Sequence, residues 1–199
     1  MNKIKVLLKI VSIFVIGLTF YQNAPAQNRA DRALVNEAKR ITNDDFSFAA
    51  QTPKGARIYS VSRANSKMLN AIDQGLTDLF AIAQENGYQK RLNYSDYTIF
   101  IAKADRTTNS DKNYSPDIAI GAAQYAGSVY DQGGFIYAAG MVLAYNPCAF
   151  VFAEHTKDFH RVSEIVRYEG EHLILYHNDR PLYKKTADHS KSGGHPILQ

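Results

Sequence analysis

The chain has 199 residues, a formal charge of +4, 21% charged and 45% hydrophobic residues, and a single cysteine. One cysteine excludes an internal disulfide framework, and the length suits one domain with a substantial core. Lys3, Lys5 and Lys9 fall in the first 26 residues and no acid does, so the remaining 173 residues carry about +1 and show no basic patch for nucleic acid.

The amino terminus reads as a targeting segment. Its basic start is followed by a nearly apolar run from Val6 to Phe20, then by Ala24-Pro25-Ala26. A small-x-small triplet after an apolar run marks a secretory cleavage site, here before Gln27. The apolar stretch after Lys9 is about 11 residues, against roughly 20 for a spanning helix. The expectation is a signal peptide over 1–26 and a single mature domain over 27–199, secreted or periplasmic, with no other membrane association. No cysteine follows the run to carry a lipid anchor.

The elements follow in order. Asp31 to Asn43 predicts a short peripheral helix, and residues 46–56, with Pro53 and Gly55, a loop. Residues 57–61 predict a short strand, with Ser62 as the cap of the next helix. Met68, Leu69, Ile72, Leu76, Leu79, Phe80 and Ala83 form a helical stripe that Asn86-Gly87 ends. Tyr97 to Ala102 is β-branched and aromatic, and predicts a central strand. Residues 105–117 read as a polar loop and 117–123 as a strand. The segment Gly127 to Gly134, flanked by Tyr125, Tyr130 and Tyr137, reads as a turn that fits no phosphate-binding pattern. Strands follow over 135–145 and 149–153, parted by Asn146-Pro147. The order predicts an α+β domain, with helices packed on one mostly antiparallel sheet.

All six histidines (His155, His160, His172, His177, His189, His195) lie in the last quarter of the chain. Residues 162–179 predict one long helix beginning near Thr156 or Lys157, stopped by Asn178-Asp179-Arg180-Pro181. A short helix over 182–187 and a small, polar, histidine-containing tail over 188–199 complete the chain. On the long helix, Val162, Ile165, Glu169, His172 and Tyr176 share a core-facing stripe. A carboxyl and an imidazole on such a stripe are costly unless paired or metal-bound. Glu164 and Glu171 fall on another face and read as solvated or paired with Arg167.

Tyr168-Glu169-Gly170-Glu171-His172 resembles the His-Glu-x-x-His helix of zincin metallopeptidases, with tyrosine in place of the first histidine. The resemblance implies Glu169 as general base and His172 as a metal ligand. The longer pattern would put a further histidine at Asn178, and His177 is one place short. Glu-x-x-His is also a ligand pair in its own right, as in di-iron carboxylate bundles. His189 or His195 would then complete a site for zinc, iron or manganese, because Gly193-Gly194 can fold the tail back. His177 and Tyr168 are further candidates. Against these stand a buried pair of Glu169 with Arg167, Arg161 or a tyrosine hydroxyl, and a core His172 donating to a carbonyl. Cys148, with His172 and Glu169, offers a nucleophile set, though a cysteine entering an apolar run is commonly a small buried hydrophobe.

As a whole the chain resembles small exported bacterial proteins, which brings no function with it. The reading is a metal-dependent hydrolase of degenerate zincin-like type, with a divalent metal (zinc first) and a peptide or protein as partner. The alternative is a non-catalytic envelope or interaction domain on a peptidase-like scaffold.

Overall fold

The computed structural model describes residues 24–104, 118–120, 136–155, 157–189 and 193–198. Residues 1–23 of the expected signal peptide, the expected polar loop 105–117 and the expected glycine-rich turn 127–134 lie outside the described residues. Residues 1–33 and 34–199 form two separate compact units. The elements are α1 (Ala24–Thr42), β1 (Phe48–Gln51), β2 (Arg57–Ser60), α2 (Ser66–Glu85), β3 (Tyr97–Ala102), β4 (Ile118–Ile120), β5 (Ile136–Ala138), β6 (Gly140–Tyr145), β7 (Cys148–Ala153), α3 (Phe159–Asn178) and α4 (Arg180–Thr186). The fold class is α+β. Among the described residues no helix is long and apolar enough to cross a membrane.

Five strands form one sheet in the order β1-β2-β3-β7-β6, and β4 pairs with β5 separately. Three of the five pairings are antiparallel, namely β1–β2, β4–β5 and β6–β7. The two at the centre, β2–β3 and β3–β7, are parallel. Every residue of β3 and β7 is buried. Central parallel strands are covered on both faces and therefore read as continuous apolar runs. The stretch 135–145 is not one strand: it breaks at Ala139, and β5 leaves for the smaller sheet.

Side chains alternate across the sheet with period two. Tyr97, Ile99, Ile101, Phe150 and Phe152 pack with Ile72, Leu76 and Leu79 of α2 and Val162, Ile165 and Val166 of α3. Phe100, Ala102, Ala149 and Val151 face the other way, against Leu34, Ala38 and Ile41 of α1. The predicted peripheral helix is thus a covering layer, with Ala38 fully buried. Its three contact residues are spaced four and three apart, which one helical face allows.

Asn65, not Ser62, caps α2 by accepting from the Met68 amide at 2.9 Å. The Ser62 hydroxyl donates to Glu154 at 3.0 Å instead. Gly87 follows the helix with φ of +78°, the left-handed position that glycine occupies without strain. Helices α2 and α3 lie unusually close. A Cβ on Gly75 would sit 2.6 Å from the Ser163 carbonyl oxygen and 2.8 Å from Val166 Cβ, so only glycine fits there. Gly170 also faces α2, where a Cβ would meet the Cδ2 tip of Leu79. This contact fixes the rotation of α3 about its axis, and with it the side from which each functional residue projects.

Candidate metal centre

Helix α3 starts at Asp158, whose side chain accepts from the Arg161 amide at 3.0 Å. Asp179 then serves twice. Its amide closes the last turn of α3 on Leu175, and its carboxylate accepts from the Leu182 amide at 3.0 Å to begin α4. After α4, Gly193 and Gly194 donate back to Asp188 and Thr186, both at 3.0 Å. The chain thereby reverses over α3 and delivers His195 to it.

The reversal collects three histidines. His172, His189 and His195 each offer a ligand atom, and these atoms lie within 4.8 Å of one another. Ring centroids are 4.9 Å apart for His172 and His195, 5.1 Å for His172 and His189, and 4.8 Å for His189 and His195. His172 is buried, His195 half-buried and His189 exposed. Zinc–nitrogen bonds of about 2.0–2.1 Å set tetrahedral nitrogens about 3.3 Å apart, so the rings would draw closer together around an ion. Three histidines therefore lie close enough to bind a metal ion.

Their electrostatics suit that role. Burial, followed by the proximity of His195 and His189, lowers the His172 pKa to about 3, so its imidazole is neutral at neutral pH. Burial and His195 also lower that of His189. Neutral imidazole is the form that binds metal. Among the described residues, the buried Nδ1 atom of His172 has no hydrogen-bond partner. An orphaned buried nitrogen costs about 1–3 kcal/mol, which coordination would offset.

Glu171 is the unforeseen member of the site. The expectation of a residue solvated or paired with Arg167 is overturned, because its side chain is fully buried and its partners are His195 and Ile197. Oε2 accepts from His195 Nδ1 at 2.7 Å and Oε1 from the Ile197 amide at 2.8 Å. The reason is a second stripe on α3. Tyr168, Glu171 and His172 lie at helical spacing and meet the returning tail. Tyr168 stacks on His195 with centroids 4.7 Å apart. Its ring therefore packs against one of the three clustered imidazoles.

Comparison with family models, with curated proteins and with solved structures returns no match to this chain. The assignment therefore rests on geometry.

The remaining candidates lie elsewhere. Glu169 projects toward the sheet, where a Cβ on Gly140 of β6 would meet its Cγ at 2.8 Å and its Oε1 at 2.9 Å. Burial alone raises its pKa to about 8. His177 makes a 2.6 Å hydrogen bond with the Tyr145 carbonyl and points away from the cluster. His160 is exposed, 3.7 Å from Glu164, which is also 3.7 Å from Arg161. His155 lines a small cavity with Ser62, Asn65 and Glu154. Cys148 opens the fully buried strand β7, and its thiol donates to the Tyr145 carbonyl at 3.5 Å. Burial pushes its pKa up to about 11, which removes the thiolate a nucleophile needs.

Proposed function

We propose that this protein is an exported metal-dependent hydrolase whose ion, zinc first among candidates, is held by His172, His189 and His195. The observation that carries the reading is that ligand atoms of three histidines from α3 and the tail lie within 4.8 Å of one another, with the buried His172 Nδ1 unpartnered among the described residues. Three imidazole ligands would leave a zinc ion its full charge, and such an ion would supply an activated water near neutral pH. His189 is exposed, so an ion held there would be open to solvent and to a peptide or other carbonyl substrate. Of the zincin likeness, His172 keeps its part as ligand. Glu169 packs against β6, so the general-base role expected of it has no support from its surroundings. Export rests on the segment from Lys3 to Ala26.

Zinc-loaded protein should cleave an activated ester or a peptide library. Chelation should abolish this, added zinc should restore it, and His195→Ala should lower the rate at least about 100-fold, the scale on which loss of a metal-activated water is felt. Activity that survives chelation would contradict the reading.

A second reading takes the ion as a structural clasp in a non-catalytic interaction domain. It is favoured by the tail itself, since Ile197 and Leu198 pack onto the main core beside the histidines. Under it, zinc stabilises the fold and no substrate is turned over.

A further inference from the structure

Glu171 is a carboxylate with no solvent exposure and with both oxygens engaged. A carboxylate only accepts hydrogen bonds, so the Nδ1 of His195 facing it carries the proton. Nε2 is then left as the lone-pair nitrogen. The stacked Tyr168 ring, 22° from parallel with His195, restricts rotation of the imidazole. The second oxygen holds the Ile197 amide, two residues beyond His195.

We propose that Glu171 is the positioning residue of the metal centre, holding His195 with Nε2 toward the ion and making the seating of residues 193–198 a condition of metal binding. This rests on the metal reading above. A carboxylate behind a ligating histidine fixes its tautomer and its aim, and removing one costs about 10–100-fold in metal affinity. Glu171 touches neither ion nor substrate, and acts through His195.

The test compares the full protein, without a polyhistidine tag, with Glu171→Gln and the control Glu164→Gln. Zinc affinity is read by competition with a chromophoric chelator. The tautomer of His195 is read by nitrogen NMR on metal-free protein. The expected result is a 10–100-fold weaker zinc complex in Glu171→Gln alone, with His195 changing from the Nδ1–H form in the parent to a mixture of tautomers. Unchanged affinity and tautomer in Glu171→Gln would overturn the proposal. So would an unprotonated Nδ1 in the parent protein, which requires no variant to fold. Failure of the parent itself to bind zinc would instead overturn the metal reading, and the proposal with it.

Discussion

Glu171→Ala should destabilise the protein by about 3 kcal/mol and release its carboxyl-terminal segment. The side chain is fully buried and is the acceptor for two donors, His195 Nδ1 and the Ile197 amide. Each donor left buried without a partner costs about 1–3 kcal/mol. The tail can limit that cost by unseating, which would expose Ile197 and Leu198 from their contact with the core. Either way the loss is several-fold larger than for a half-buried surface glutamate such as Glu37, which pairs with the exposed Arg40. Urea unfolding of metal-free protein measures the free energy, and amide exchange at Ile197 reports the seating. A loss below 1 kcal/mol with Ile197 still protected would mean that the tail is held by something other than Glu171.

Glu169→Gln should stabilise the metal-free protein increasingly as pH rises from 4.5 to 8, by about 2–4 kcal/mol in total. Burial raises the folded pKa of Glu169 to about 8 from an ordinary 4.5. Between those values the folded state binds the proton and the unfolded state does not, so stability falls as pH rises. His172 acts with the opposite sign. Its folded pKa is about 3 against an ordinary 6.5, so between those values the unfolded state binds the proton and stability rises with pH. Between pH 4.5 and 6.5 the slope of Glu169 opposes that of His172, and the lowered pKa of His189 adds to the His172 side, so the parent should change little or rise slightly there. The parent protein should then weaken from pH 6.5 to 8. Glutamine cannot ionise, so Glu169→Gln should lose that decline and rise more steeply than the parent below pH 6.5. Urea unfolding at half-unit intervals with chelator present measures it. A difference between parent and variant that stays flat with pH would show that Glu169 is an ordinary ionised carboxylate.

Parts of this molecule were open to reading from local pattern. The apolar stripe of α2 and the six residues of β3 are strongly periodic or strongly β-forming, and they fold as their pattern predicts. The histidine cluster was legible by chemistry alone, because His172 on a core-facing stripe needs partners and the Gly193-Gly194 turn can supply them. What failed was rotation and return. A stripe through Val162, Ile165, Glu169, His172 and Tyr176 treats α3 as having one buried side. In the structure it has three, facing α2 at Gly170, β6 at Glu169 and the tail at Glu171. The third side exists only because a segment 24 residues along the chain comes back, and no local periodicity records that. Asn65 displaces Ser62 as cap of α2 for a similar reason, since the Ser62 hydroxyl is engaged by Glu154, 92 residues away. The covering role of α1 was hidden too, because Leu34, Ala38 and Ile41 are sparse apolar positions on an otherwise polar helix.

The metal centre is tested most directly by zinc stoichiometry and the stability that zinc confers, on tag-free protein dialysed against buffer. The parent should retain about one equivalent by elemental mass spectrometry, and zinc at 100 times its dissociation constant should raise the unfolding free energy by about 2.7 kcal/mol. His172→Ala and His195→Ala should lose both effects, while His160→Ala, altered at an exposed histidine outside the cluster, should keep them. No zinc in the parent, or as much zinc in His172→Ala as in the parent, would contradict the assignment of His172, His189 and His195 as a metal site.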